Sequence, residues 1–86
     1  MPAKQQVKRF ILTNYLFTED ESKLPDEASL IKMGALDSTG VLELIAFLEE
    51  QFQIKVEDDE MVPANLDSVA HIVEFVQRKQ AAAATA

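Results

Sequence analysis

Residues 34–52 read GALDSTGVLELIAFLEEQF, which contains the clearest helical pattern in the chain. From Ser38 to Phe52 apolar side chains recur at three- and four-residue steps, as they do on one face of an α-helix. The residues on that face are Val41, Leu44, Ile45, Leu48 and Phe52. The opposite side is mixed and carries Leu42, Glu43, Ala46, Phe47 and Glu50, with Glu49 flanking them. We therefore predict an amphipathic helix with one buried face and one partly acidic, exposed face.

A second amphipathic helix is predicted before this segment, from Lys4 to about Phe17. Its apolar stripe consists of Val7, Phe10, Ile11 and Tyr15. Residues 18–37 then connect the two helices, and a loop of roughly 20 residues is unusual in a compact domain. We expect this loop to pack its apolar side chains onto the core, and these are Leu24, Leu30, Ile31, Met33 and Leu36.

Two further helices are predicted after residue 52. Residues 58–62 are expected to form a short helix that ends at Pro63, because proline disfavours helical geometry in the residue before it. Asp67 or Ser68 then caps a last helix, whose buried stripe is Val69, Ile72, Val73 and Val76. The sequence therefore predicts an all-α fold, a small four-helix bundle of three main helices plus one short helix. We expect a single domain over residues 1–79 and a frayed or disordered alanine-rich tail over residues 80–86.

The composition excludes several classes of function. The chain has 86 residues, no cysteine and a net charge of -7. Ten acidic residues lie in residues 37–74 against Lys55 alone, so this half carries a net charge of -9. Such a balance argues against nucleic-acid binding, and the lack of cysteine excludes disulfides and thiolate metal sites. The acidic half is either a solvated face or a docking surface for a basic partner.

Few residues are candidates for chemistry. His71 is the only histidine and lies off the apolar stripe of its helix, so a serine triad is not expected. Residues 57–60 are acidic but lack the calcium-loop spacing, so we expect neither a metal site nor a catalytic one. Asp37-Ser38 and Asp67-Ser68 each precede a helix and suit N-capping. Capping explains the second pair fully, whereas the first ends a long loop and opens the acidic helix, where an anionic group such as phosphate is favoured.

These features together resemble an acyl carrier protein of the phosphopantetheine-binding type, and the resemblance runs from about Val7 to Lys79. Its strongest part is the loop and Asp-Ser pair of residues 34–38, followed by the acidic helix. The resemblance implies that Ser38 carries 4'-phosphopantetheine from coenzyme A, attached by a phosphopantetheinyl transferase, with Asp37 as motif neighbour. The group would supply the thiol that the chain lacks and hold an acyl or aminoacyl group as a thioester. Such a protein is a carrier and not an enzyme.

The resemblance also implies a docking surface on the helix after the serine. By position this surface consists of Leu42, Glu43, Ala46, Glu49 and Glu50. The expected partners are an acyl- or aminoacyl-loading ligase and downstream synthases with basic docking surfaces. Their contacts should be weak and salt-sensitive, because a carrier visits several enzymes in turn.

Two residues after the serine depart from the usual pattern of the family. Thr39 stands where leucine or methionine is usual, and Gly40 replaces a common acid. We therefore expect a stand-alone carrier of a specialised lipid or secondary-metabolite pathway. The alternative is an acidic helical adaptor with a carrier-like fold and no prosthetic group. Phe47 either anchors a partner or packs under the long loop.

We expect a monomeric, cytoplasmic protein. The first six residues lack the apolar stretch of a secretory signal, and no run of apolar residues approaches the length of a membrane span.

Overall fold

The computed structural model describes residues 3–34 and 36–85, apart from the side chains of Ser38 and of residues 83–85. Within these residues there is no strand, and the predicted all-α bundle of three main helices and one short helix is confirmed. The four α-helices are α1 Ala3–Ile11, α2 Ser38–Phe52, α3 Pro63–Leu66 and α4 Val69–Thr85. Helix α4 contacts the other three, so it forms the centre of the bundle.

The first helix changes its winding before it ends. After Ile11 the chain makes one π-helical turn over Leu12–Leu16 and stops at Phe17, whose backbone is left-handed (φ 54°, ψ 42°). The amides of Phe17 and Thr18 both donate to the carbonyl of Leu12. The predicted helix is therefore correct in position, but its last turn is wider than an α-helix.

The core is built from the predicted apolar stripes. On α2 the side chains of Leu44, Ile45, Leu48 and Phe52 are buried, and on α4 those of Val69, Ile72 and Val76 are joined by Phe75. Gln53 ends α2 with a left-handed backbone, and residues 54–57 follow without regular secondary structure. Their alternation places Ile54 and Val56 in the core.

The long loop packs onto the core through three of the five side chains that we expected to be buried. Leu24, Leu30 and Leu36 are buried, but Ile31 and Met33 are 49% and 39% exposed, so the prediction is wrong for these two. The reason is a tight turn over residues 30–34, which Gly34 completes with a positive φ of 76°. In a turn, successive side chains point in different directions. Here Leu30 points into the core, whereas Ile31 and Met33 are left partly exposed.

The predicted position of the short helix is wrong. Residues 58–60 form only a 3-10 turn, and Pro63 begins α3 instead of ending a helix. Val62 before it is extended (φ -123°, ψ 155°), as a residue before proline prefers. At the first helical position proline loses nothing, because its missing N–H would have no intrahelical partner there.

Among the described residues, no helix is both long and apolar enough to cross a membrane. Helix α4 continues through the alanine-rich tail as far as Thr85.

Candidate functional site

The start of α2 is fixed by Asp37. Its backbone is extended, and its carboxylate accepts a 2.6 Å hydrogen bond from the amide of Gly40. Asp37 is thus the N-cap, and Ser38 is the first residue of the helix. The side chain of Ser38 lies outside the described part of the structure, so its predicted role is argued from its position on the backbone. The remaining amides of the first turn and the helix dipole favour a negatively charged group at this point.

The second Asp-Ser pair divides two roles between its members. Ser68 is buried and caps α4, because its hydroxyl accepts from the amide of His71 at 3.1 Å. Asp67 instead binds the long loop: its carboxylate accepts from the hydroxyl of Ser29, 2.8 Å from each oxygen, and from the amide of Ile31 at 3.0 Å. Its backbone carbonyl accepts from the amide of Leu30 at 2.6 Å. Capping therefore explains Ser68 only, and Asp67 anchors the loop that leads to Asp37.

A third contact connects the start of α2 to the end of the first helix. The hydroxyl of Tyr15 donates a 2.7 Å hydrogen bond to the carbonyl of Gly40, which is buried. Partial burial, followed by the charges of Glu43 and Asp37, raises the pKa of Tyr15 to about 12. The phenol thus stays protonated at neutral pH and remains a donor. Sequence reasoning placed Tyr15 only in the apolar stripe, because nothing local to it indicates a partner 25 residues away.

A cleft with a cavity volume of about 300 Å³ lies beside the start of α2. It is formed where the end of the first helix, the loop turn and the first residues of α2 meet. Its lining residues are Asn14, Tyr15, Phe17, Gly34, Asp37, Thr39, Gly40 and Glu43. The cleft contains two carboxylates and two aromatic rings, and none of its lining residues is a lysine or arginine. We call this feature the serine cleft, because its lining residues flank Ser38 on both sides.

The predicted docking residues do not share one environment. Leu42 is 62% exposed, and Glu43, Ala46 and Glu50 are also exposed. Glu49 is half-buried, and its carboxylate accepts a 2.9 Å hydrogen bond from the amide of Val56. The charge of Glu49 is therefore used within the fold, where it holds the chain after α2.

Phe47 packs on the first helix and not under the long loop. Its ring stacks on that of Phe10, with centroids 4.0 Å apart and an interplanar angle of 11°. The ring of Phe52 meets it edge-on at 6.1 Å. Phe47 therefore packs α2 against α1. Its position on the outward side of the helical wheel did not indicate this contact.

The surroundings of His71 do not support a serine triad, and those of the acidic residues 57–60 do not support a metal site. The imidazole Nδ1 of His71 lies 2.8 Å from the hydroxyl of Ser68, but that serine is buried at the capped helix start. Glu60 closes the 3-10 turn and pairs with Lys79 at 2.8 Å, which lowers the pKa of its carboxyl. In the described part of the chain no group of three or more histidine, cysteine or acidic residues is arranged to hold a metal.

Comparison with known proteins identifies close relatives of one type. The chain is 42% identical over 69 residues to the D-alanyl carrier protein of Streptococcus pyogenes serotype M5 (strain Manfredo), covering 80% of this chain and 86% of the relative. It is 45% identical over 65 residues to the D-alanyl carrier protein of Streptococcus uberis, covering 76% and 81% respectively. No protein-family model matches the chain. Identity at this level over most of both chains, together with the helical bundle, shows that the chain belongs to the acyl carrier protein family, as a carrier and not an enzyme.

Proposed function

We propose that this protein carries an aminoacyl group, of the D-alanyl type, as a thioester on 4'-phosphopantetheine attached to Ser38. The observation that supports the attachment point is the geometry at the start of α2, where the Asp37 cap makes Ser38 the first helical residue. The relatives favour an aminoacyl cargo, since their names specify D-alanyl. They give no support to the lipid or secondary-metabolite pathway that we expected from Thr39 and Gly40.

The surroundings of Ser38 are compatible with a phosphodiester at its oxygen. Phosphate is stabilised by the amides and dipole at a helix start. The flanking residues Asp37 and Thr39 are exposed, so an enzyme can approach this part of the helix start from solvent. In the transfer, the Ser38 oxygen forms a bond to the phosphorus next to the pantetheine arm of coenzyme A. The pyrophosphate bond breaks, 3',5'-ADP leaves, and the hydroxyl proton passes to solvent or to a base of the transferase.

The prosthetic group, when bound, supplies a thiol that can hold an acyl group as a thioester. The chain has no cysteine of its own, so no competing protein thiol is present. The part played by the chain is to hold Ser38 at an accessible helix start and to present charge to partners. The exposed residues Leu42, Glu43, Ala46 and Glu50 are the surface that we propose for docking basic partner enzymes. Glu49 would contribute less, since its carboxylate is bound to Val56.

The attachment is tested by intact mass. Apo protein is incubated with coenzyme A, magnesium and a broad-specificity phosphopantetheinyl transferase, and we expect a gain of one phosphopantetheine. Ser38→Ala should gain nothing. Ser68→Ala is the matched control, since it alters the other Asp-Ser pair, and it should be modified fully. Modification of Ser38→Ala would contradict the assignment, and an unmodified but folded wild-type protein would favour the acidic adaptor.

The cargo is tested on the modified protein. With ATP and a D-alanine-activating ligase, the mass should increase by one alanyl residue, and hydroxylamine should remove it, as expected of a thioester. Ser38→Ala, which lacks the arm, is the control for non-specific acylation. A fatty acyl chain on protein purified from its native host, in place of an aminoacyl group, would contradict the proposed cargo.

A further inference from the structure

Phe17 is the most exposed large apolar side chain among the described residues, at 83%. It also adopts a left-handed backbone (φ 54°, ψ 42°), which is sterically unfavourable for a residue with a β-carbon. Glycine is the usual residue at this position after a helix. Folding therefore gains neither burial nor favourable backbone geometry from a phenylalanine here. A strained, exposed residue of this kind is a candidate for a role outside folding.

The backbone holds this ring in a defined place. The amides of Phe17 and Thr18 both bind the carbonyl of Leu12, which fixes the turn that carries the ring. Phe17 lines the serine cleft together with Thr39, the residue directly after Ser38. Thr39 is small and polar, so the large exposed apolar surface at this cleft comes from Phe17. An enzyme that acts on Ser38 must lie against the residues on either side of it, Asp37 and Thr39, which line this cleft.

We propose that Phe17 is a recognition residue for the phosphopantetheinyl transferase, which receives its ring in an apolar pocket bordered by basic residues. The basic border follows from the carboxylates of Asp37 and Glu43 in the same cleft. This inference rests on the proposed attachment at Ser38.

The transferase is the partner that fits this position best. It must bring a phosphorus atom to the oxygen of Ser38 itself, so its surface must lie against Asp37 and Thr39, which share the cleft with Phe17. An enzyme that loads or unloads the cargo acts at the thiol, at the far end of the flexible arm. Such an enzyme can reach its target without covering the serine cleft.

The test compares transfer kinetics with thermal stability in four variants. Phe17→Gly removes the ring, whereas Phe17→Leu replaces it with another apolar side chain. Gln53→Gly is the matched control, because Gln53 ends α2 in the same left-handed conformation (φ 56°) and does not line the cleft. Ser38→Ala reports whether the proposed attachment site is correct. Initial rates at varied carrier concentration give kcat and KM for a broad-specificity transferase.

We expect Phe17→Gly to melt roughly 4–8 °C higher, because glycine relieves the left-handed strain, yet to lose about tenfold in kcat/KM through KM. Phe17→Leu should recover most of the kcat/KM. Gln53→Gly should melt higher and be modified at the wild-type rate. Wild-type kcat/KM in Phe17→Gly, or an equal loss in Gln53→Gly, would overturn the role of Phe17. Modification of Ser38→Ala would instead overturn the attachment site, so the two failures are distinguishable.

Discussion

Asp67 gives the most demanding test of how the long loop is held. Its carboxylate accepts two hydrogen bonds from the loop, one from Ser29 and one from the amide of Ile31. Both partners lie more than 35 residues away in sequence. We expect Asp67→Ala to remove both bonds and to leave the half-buried hydroxyl of Ser29 without this acceptor.

The size of the loss follows from the charge of the acceptor. A hydrogen bond to a charged group contributes about 1.5–3 kcal/mol, and the lower value applies here because Ile31 is exposed. Two such bonds give a loss of about 3 kcal/mol in the free energy of unfolding. A domain of this size has a total stability of roughly 5–10 kcal/mol, so the variant should remain folded but unfold at much lower denaturant.

The assay is urea unfolding followed by far-ultraviolet circular dichroism, combined with amide hydrogen exchange. Asp20→Ala is the matched control, since Asp20 also accepts two hydrogen bonds, both from Ser22 within the same exposed turn. Its loss should not exceed about 1 kcal/mol, because Asp20 caps only a short exposed turn. In Asp67→Ala, exchange should accelerate at the amides of Leu30 and Ile31 before it does so in α4. A loss below about 1 kcal/mol, or exchange that accelerates uniformly, would refute the anchoring argument.

Two further predictions concern the capped start of α4 and the half-buried phenol of Tyr15. Ser68→Ala should destabilise the protein by about 1 kcal/mol, because the amide of His71 loses its cap, and an unchanged melting temperature would contradict this. Tyr15 is the only tyrosine and there is no tryptophan, so phenolate absorbance should report its titration alone, with a midpoint near pH 12. Because folding raises the pKa of Tyr15 from 10, the contribution of the protonated phenol to stability is complete below pH 10 and is lost as the pH rises toward 12. A titration midpoint near pH 10 in the folded protein would contradict this prediction.

The features that could be predicted from the sequence are those determined by neighbouring residues. The apolar stripe of α2 needs only its own period of 3.6 residues, and Ser68 caps α4 through an amide three positions away. The position of Ser38 at the start of an acidic helix is local in the same sense. Pro63 shows the limit of such reasoning, because proline both follows extended residues and begins helices, and the local pattern alone did not decide between these uses.

The remaining features depend on contacts between distant parts of the chain. N-capping is a sufficient local explanation for Asp67, so the sequence gives no sign of its hydrogen bonds to the loop. Phe17 ends a π-helical turn with a left-handed backbone, and the apolar stripe indicates neither feature. Phe47 lay on the outward side of the helical wheel, and only the position of Phe10 on α1 shows why it is half-buried.

These distant contacts share one consequence for the proposed function. The start of α2 is held by the Asp37 cap, by the hydroxyl of Tyr15 on Gly40, and by the loop that Asp67 anchors. A partner that binds an ordered surface does not lose affinity in ordering it first. The contacts to a carrier must nevertheless stay weak enough for rapid exchange between enzymes. A helix start anchored by these contacts, with a small exposed apolar and acidic surface, satisfies both requirements, because the anchored backbone supplies geometry while few side chains supply binding energy.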